Sequence, residues 1–206
     1  GAVIVGGWYD CEDLYGTLAT YHALEQHNPD TTNTLVLGPW IHGGWNDSKV
    51  DGSRLGPVSF DQPTADFYRQ QIELRFFEFH LKARGAFRPP EAWVFETGAN
   101  RWREHDRWPL TDTQPISFYL QAGGKLAQTA AAVEDSDTGY DEYSSDPAKP
   151  VPYIDQIGFR VIPEFMIADQ RFAARRPDVL VYETEPLDQP LTLVGPLAAE
   201  FHVATS

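Results

Sequence analysis

The sequence predicts a chain of two parts, an α/β unit followed by an all-β region. The first part opens with a β-branched apolar run, Ala2–Val5, continues with apolar residues at helical spacing, and has a second apolar run at Thr34–Leu37. A strand, a helix and a strand in this order form a βαβ unit, whose strands are parallel neighbours. After Glu91 the chain instead has short apolar runs between Pro, Gly and Asp turns, which is typical of an antiparallel sandwich.

Two helices are predicted in the first part. The helix of the βαβ unit is marked by apolar residues at 14, 18, 21 and 24 and ends at the turn Asn28–Asp30. A longer helix is predicted from about Pro63 to Lys82, and its apolar side chains are expected to pack on the sheet. These side chains are Phe67, Ile72, Leu74, Phe76, Phe77 and Phe79. The change in character near residue 88 predicts two domains, 1–88 and 89–206.

Four runs in the second part have the length and the β-branched or aromatic content of strands. They are Ala92–Phe95, Ile116–Leu120, Val179–Tyr182 and Phe201–Ser206. We expect the last run to be a strand cut off before the rest of its sheet. The chain also opens directly into a strand, so we expect its start to be a cut within a domain.

Composition excludes several classes of function. The 206 residues include 16 Lys and Arg against 30 Asp and Glu, a formal net charge of −14. This acidity argues against nucleic acids and anionic membranes as partners. The single cysteine allows no intrachain disulfide and no zinc site of the Cys-x-x-Cys type. No apolar run is long enough to span a membrane, and we expect neither a metal nor a cofactor.

The first strand leads into three carboxylates, Asp10, Glu12 and Asp13. The carboxyl end of a strand in a parallel sheet is where ligands and catalytic groups are placed. Because neighbouring negative charges repel one another, the cluster indicates a cation, a metal or an ionised partner nearby. A purely structural alternative makes Asp13 a helix N-cap and the other two carboxylates favourable neighbours of the helix dipole.

The second strand ends shortly before His42. Because parallel neighbours end at the same edge of a sheet, Asp10 and His42 are expected to meet there. An acid that orients a histidine makes two of the three members of a nucleophilic triad, and the order matches the Ser, Asp, His order of α/β-hydrolases. No Gly-x-Ser-x-Gly motif occurs in the chain, so the serine is expected upstream of Gly1. The alternative is a loop histidine bonded to a backbone carbonyl.

Longer motifs spread over nearly the whole chain carry a family resemblance. They are Gly7–Asp10 with Glu12 and Asp13, Gly38–Gly43, Phe76–Lys82, Val94–Arg103, Ser145–Tyr153 and Arg176–Tyr182. Together they resemble the carboxyl-terminal half of the α-amino-acid ester hydrolases. Those enzymes belong to the cocaine-esterase-like and X-Pro dipeptidyl-peptidase superfamily of serine hydrolases, which also includes enzymes known as glutaryl-7-aminocephalosporanic-acid acylases.

The resemblance implies a role for each candidate residue. Asp10 would be the triad acid and His42 the triad base, while Glu12 and Asp13 would belong to a carboxylate cluster that holds the substrate's α-ammonium group. The nucleophilic serine, the adjacent tyrosine of the oxyanion hole and the remaining cluster member would lie outside this chain. The implied fold is the C-terminal piece of an α/β-hydrolase domain followed by a truncated jelly-roll β-sandwich.

We therefore expect part of a serine hydrolase that cleaves or transfers α-amino acyl groups from esters, and from β-lactam amides that bear such a side chain. The chain alone is expected to be inactive. Its expected partners are the small ester or amide, the missing N-terminal hydrolase half and further copies of itself, and the resemblance implies a periplasmic or secreted location. The alternatives are an X-Pro peptidase, a cocaine-esterase-like enzyme, a glutaryl acylase or a non-catalytic sandwich that binds a ligand or a partner chain.

Overall fold

The computed structural model describes residues 1–130, 139–159 and 162–205. The chain divides into two compact units. Unit 1 comprises Gly1–Trp108 and Ile157–Ala168, and unit 2 comprises Pro109–Gln156 and Asp169–Ser206. The domain limits predicted from the sequence, 1–88 and 89–206, stay a prediction. No helix in the described ranges is long and apolar enough to cross a membrane.

Unit 1 contains most of the regular structure. Its elements are β1 (Ala2–Gly7), α1 (Leu14–His27), β2 (Asn33–Gly38), β3 (Arg54–Leu55), β4 (Val58–Ser59), α2 (Thr64–Phe67), a π-helical segment (Tyr68–Glu73), α3 (Leu74–Lys82), β5 (Ala92–Glu96), β6 (Arg101–His105) and a 3₁₀ helix (Pro163–Ile167). Four strands form one sheet in the order β1-β2-β5-β6. β1 is parallel to β2, so the predicted βαβ unit is confirmed.

The predicted strand at Ala92–Phe95 forms, but it does not belong to a sandwich. β5 pairs in parallel with β2 and antiparallel with β6, which places it inside the sheet of the βαβ unit. The prediction that this run begins the sandwich is therefore wrong. The physical reason is that a short apolar run shows strand propensity locally, whereas its hydrogen-bonded neighbour is decided by residues far away in the sequence.

The central strand β2 is buried along its whole length, because the sheet is covered on both faces. Val36 packs on one face with side chains from the second long helix, including Tyr68 and Ile72. Leu35 and Leu37 pack on the opposite face with Tyr21 of α1. This double burial explains why β2 is a continuous apolar run rather than an alternating one.

The predicted helix from Pro63 to Lys82 is confirmed, because α2, the π-helical segment and α3 follow one another without a break. Its predicted packing is only partly right. Ile72 is fully buried, but Leu74, Phe77 and Phe79 are exposed, so the expectation that these three pack on the sheet is wrong. A π-helical turn holds more residues than an α-helical turn, so it rotates the residues that follow away from the face expected from α-helical spacing.

Unit 2 contains less regular structure than the sequence predicts. Its elements are the hairpin of β7 (Tyr119–Gln121) and β8 (Lys125–Ala127) and a short helix, α4 (Arg171–Ala174). The run Ile116–Leu120 enters a strand only at its end. Val179–Tyr182 and 201–205 lie outside the strands, although Glu183 bonds to the β8 hairpin, and Ser206 lies outside the described residues. A strand requires a hydrogen-bonded neighbour, and these runs have few within the described part of unit 2.

Replacing Ile72 with Ala tests the packing of the long helix. We expect Ile72→Ala to lower the free energy of unfolding by about 2–5 kcal/mol, because it opens a cavity in the core beneath the sheet. Leu81→Ala is the matched control in the same helix, and it should cost less than about 0.5 kcal/mol because Leu81 is 75% exposed. Urea unfolding followed by circular dichroism measures both. An equal loss in the two variants would mean that the outer face of α3 is covered in solution.

Candidate active site

The candidate site lies where β1 and β2 end at the same edge of the sheet. The register places Gly7 opposite Gly38. Beyond the strands the two chain segments stay together, because the amide of Trp8 donates to the carbonyl of Gly38 at 2.9 Å and the amide of Tyr9 donates to the carbonyl of Trp40 at 3.0 Å. This continued pairing carries Asp10 and His42 to neighbouring positions.

Glycine at position 7 is required by this close approach. A Cβ atom there would lie 2.1 Å from the carbonyl oxygen of Trp40, and the obstacle is backbone, which cannot move aside cheaply. At Gly38 a Cβ atom would instead meet the ring of Trp40 at 2.4 Å. The two glycines therefore let the segment before His42 lie directly against the segment before Asp10.

Asp10 and His42 are in direct contact, so the prediction that they meet is confirmed. Nδ1 of His42 lies 3.0 Å from Oδ2 and 3.2 Å from Oδ1 of Asp10. The carboxylate is buried, whereas the imidazole is 53% exposed. In a Ser-His-Asp triad the acid likewise contacts Nδ1, and Nε2 is the nitrogen that exchanges a proton with the serine. The pair is therefore oriented for general base chemistry at the exposed side of the ring.

The second interaction of Asp10 fixes its orientation. Oδ1 accepts hydrogen bonds from the backbone amides of Glu12 at 2.8 Å and Asp13 at 3.1 Å, just before α1 begins. Asp13 stands at the N-cap position of α1 but makes no capping hydrogen bond with its side chain. The capping bond that the structural alternative assigned to Asp13 does not form, and the amides that Asp10 accepts from belong to residues before the helix.

Glu12 and Asp13 are exposed beside this contact. The pKa of His42 is raised above its ordinary value, first by the hydrogen bond to Asp10, then by the negative charges of Asp10 and Glu12, and to a smaller degree by Asp13. His42 is therefore an ionisable partner for the crowded carboxylates. Within the described ranges, no group of three or more His, Cys, Asp or Glu side chains is placed to hold a metal ion.

Thr64 is a site residue that the sequence analysis missed. Its hydroxyl accepts a hydrogen bond from Nε1 of the buried Trp40 at 2.9 Å and donates to the carbonyl of Gly52 at 2.7 Å. It thus ties the segment before His42 to the segment after it. No sequence signal marks this role, because a threonine at the start of a helix is common.

Comparison with known proteins places the chain in a family. Residues 85–206 match the family described as X-Pro dipeptidyl-peptidase C-terminal non-catalytic domain, which is more than half of the chain. The chain belongs to the X-Pro dipeptidyl-peptidase and cocaine-esterase-like superfamily. The resemblance read from the sequence motifs is confirmed at this level. The regular structure of residues 85–206 within the described ranges is mainly strand.

Two relatives show how far the likeness extends. The cocaine esterase of Rhodococcus sp. (strain MB1 Bresler) is 31% identical over 217 residues, which cover 100% of this chain and 36% of the esterase. The crystal structure of an aminopeptidase from the marine sediment archaeon Thaumarchaeota archaeon is 36% identical with a TM-score of 0.78, covering 91% of this chain and 31% of the aminopeptidase. The chain thus spans about a third of the length of these relatives.

The four predicted site residues all precede the matched non-catalytic domain. Asp10, Glu12, Asp13 and His42 lie before residue 85, where that match begins. The relationship to a non-catalytic domain therefore does not extend to the part of the chain that contains the contact between Asp10 and His42.

Neutralising the carboxylates one at a time should lower the pKa of His42 in a defined order. We expect Asp10→Asn to lower it most, because Asp10 supplies both the hydrogen bond and the largest charge effect, and Glu12→Gln to lower it less. NMR titration of the imidazole resonances measures the pKa. The control is Asp30→Asn, since Asp30 lies beyond the far end of α1. A larger effect of Asp30→Asn than of Glu12→Gln on the pKa of His42 would contradict the geometry of the site.

The same shift predicts how the contact contributes to stability. Because the pKa of His42 is raised in the folded state, the contribution is fully present below the ordinary histidine pKa and is lost as the pH rises through the raised pKa.

Proposed function

We propose that this chain contributes Asp10 and His42 to the triad of a serine hydrolase whose nucleophilic serine comes from a part of the protein outside these 206 residues. The observation that carries the proposal is the contact of His42 Nδ1 with the buried carboxylate of Asp10, at the edge where two parallel strands end. The similarity of this chain to an esterase and to an aminopeptidase, each about three times as long, supports the proposal.

In each half of the proposed mechanism His42 takes one proton and returns it. Nε2 takes the proton of the serine hydroxyl as the serine oxygen bonds to the acyl carbonyl carbon. The imidazolium then returns this proton to the departing alcohol or amine, which leaves an acyl-enzyme. In the second half of the reaction His42 takes a proton from a water molecule as the water oxygen bonds to the acyl carbon, and returns that proton to the serine oxygen as the acyl–serine bond breaks. Throughout, the carboxylate of Asp10 stabilises the imidazolium through Nδ1.

We further propose that Glu12 and Asp13 bind a free α-ammonium group on the acyl part of the substrate. Both side chains are exposed at the site, and within the described residues neither forms an ion pair with Lys or Arg. A substrate cation would relieve their mutual repulsion. The likeness to an aminopeptidase supports this assignment, because an aminopeptidase acts on chains with a free amino terminus. The proposed substrates are α-amino acyl esters and β-lactam amides with an α-amino acyl side chain.

The proposal gives each unit a place in a larger fold. Unit 1 would be the C-terminal piece of an α/β-hydrolase domain, in which β1, an edge strand with half-buried apolar residues, pairs with a strand of the missing N-terminal half. The exposed apolar side chains between 187 and 203 suit sandwich strands that still lack neighbours, as in a truncated jelly roll. We propose a periplasmic or secreted protein that assembles with copies of itself, as the family resemblance implies.

The comparisons favour three of the alternatives to an α-amino acyl hydrolase. The likeness to the aminopeptidase favours a peptidase with the same triad, and the likeness to cocaine esterase favours an esterase for amine-free acyl groups. A glutaryl acylase remains an alternative within the superfamily. The match to a non-catalytic domain favours a sandwich that binds a ligand or a partner chain.

Activity of this chain should be compared with that of a chain extended upstream to its natural start. The substrates are phenylglycine methyl ester and its des-amino analogue, and ester hydrolysis is followed by titration of the released acid. We expect activity only in the extended chain, with preference for the free amine. Activity in neither chain would favour the non-catalytic binding module, and activity in the short chain would contradict an upstream serine. Faster cleavage of X-Pro peptides or of glutaryl amides would identify the corresponding alternative.

Variants of the extended chain separate chemistry from amine recognition. Asp10→Asn should lower kcat by about 10⁴-fold, and His42→Ala by at least as much. The double variant Glu12→Gln, Asp13→Asn should weaken kcat/KM for the amino ester by about 10- to 100-fold, since a hydrogen bond to a charged group contributes roughly 1.5–3 kcal/mol. Its kcat/KM for the des-amino ester should change little, and Asp30→Asn is the matched control. Equal losses on both esters would refute the assignment of Glu12 and Asp13.

A further inference from the structure

The segment that follows His42 has little structure of its own. Residues 43–52, here called the histidine loop, contain short turns such as the hydrogen bond from the Gly44 amide to the Ile41 carbonyl at 2.9 Å and that from the Asn46 amide to the Gly43 carbonyl at 3.0 Å. Turns of this kind set the local shape of a loop but not its position. The position must come from contacts with other elements.

Arg69 supplies the largest set of these contacts. Its Nη1 donates to the carbonyl oxygens of Trp45 at 3.1 Å and Asp47 at 3.0 Å, and its Nη2 donates to the carbonyl oxygen of Val50 at 2.8 Å. Nη2 also pairs with the carboxylate of Asp66, one turn earlier in the helix. A single side chain thus binds three carbonyl groups of the histidine loop while its own charge is balanced.

Arg69 lies in a helical segment that packs on the sheet. It lies in the π-helical segment, between Tyr68 and Ile72, whose side chains are buried against the sheet. π-Helical insertions within longer helices are frequent at functional sites. Because Tyr68 and Ile72 belong to the core, the backbone that carries Arg69 is held in place.

The start of the same helix also holds the segment before His42 and the end of the histidine loop. The hydroxyl of Thr64 accepts a hydrogen bond from the side chain of Trp40, which precedes His42, and donates one to the carbonyl of Gly52 at the end of the loop. The amide of Ala65 donates to the carbonyl of Asp51 at 2.8 Å. The backbone before His42 and the backbone after it are therefore both fixed to one helix start.

We propose that Arg69 is a positioning residue for the pair of Asp10 and His42: its guanidinium group fixes the histidine loop to the π-helical segment and so holds His42 against Asp10. The imidazole is half exposed, and in the described part of the chain its only hydrogen-bonding contacts are with Asp10. A shift of the loop by about 1 Å would lengthen this contact beyond hydrogen-bond distance, and misplacement on that scale costs about 100-fold in rate. The catalytic consequence rests on the function proposed above.

The proposal depends on the shape of the arginine head group and not only on its charge. A guanidinium group presents donors on two Nη atoms in a fixed plane, whereas a lysine ammonium group presents all its donors from one atom. Lysine at position 69 keeps the positive charge near Asp66 but cannot reach all three carbonyl groups with the same geometry. Arg69→Lys should therefore restore only part of what Arg69→Gln removes.

The first test uses this chain and NMR. Amide hydrogen exchange at Gly44 and Asn46 reports the histidine loop, and imidazole titration reports the His42 pKa. In Arg69→Gln we expect exchange at both amides to be about tenfold faster or more and the pKa of His42 to fall towards its ordinary value, with Arg69→Lys intermediate. The control, Arg75→Gln, should match the unmodified chain, because Arg75 is exposed on α3 and forms no ion pair within the described residues.

The direction of the pKa change separates positioning from a simple charge effect. Removing the positive charge of Arg69 would not by itself lower the pKa of His42, since a cation can only disfavour the imidazolium. Weakening the contact with Asp10 lowers it, and the other carboxylates that raise it, Glu12 and Asp13, are unchanged in these variants. A raised or unchanged pKa together with control-like exchange at Gly44 and Asn46 would overturn the proposal.

The second test uses the chain extended upstream and the amino ester. Arg69→Gln should lower kcat by about 10- to 100-fold and change KM by less than about threefold, because the pair is displaced while the substrate contacts remain. If the extended chain has no esterase activity, the proposed function fails, and the NMR test still decides the role of Arg69. Faster exchange throughout β2 would mean a general folding role and would also overturn the proposal. If Arg69→Gln does not fold, Arg69→Lys is judged by the same criteria.

Discussion

The parallel pairing of β1 with β2, in the register that sets Gly7 opposite Gly38, is the constraint on which the candidate site depends. Where those strands end, the backbone hydrogen bonds continue for two more residues of the first segment and keep it against Trp40. Side chains of ordinary size at the glycine positions would separate the segments. Because the two segments lie together, Asp10 and His42 come within hydrogen-bond distance although they follow different strands.

The carboxylate of Asp10 makes two kinds of contact. Oδ1 accepts hydrogen bonds from the backbone amides of Glu12 and Asp13, and Oδ2 is the oxygen nearer to the imidazole of His42. A helix start is a favourable place for a negative charge, so this position suits a carboxylate. The contacts with the backbone before α1 and with His42 therefore share one carboxylate.

The helix from Thr64 to Lys82 contacts both the sheet and the histidine loop. Its π-helical segment buries Ile72 and Tyr68 against the sheet while Arg69 contacts the backbone after His42, so core packing and loop position are linked through adjacent residues. Beyond that segment the apolar side chains Leu74 and Phe77 are exposed.

The sequence by itself determined the βαβ unit, the helix up to Lys82 and the meeting of Asp10 with His42, because apolar periodicity and the rule for parallel connections act over short stretches. Only the tertiary structure decided that Ala92–Glu96 joins the parallel sheet and that Leu74 faces outward. It also decided that Arg69 binds carbonyl groups some twenty residues away. Those features depend on which backbone groups and packed faces meet across long sequence separations, and local residue preferences do not encode that choice.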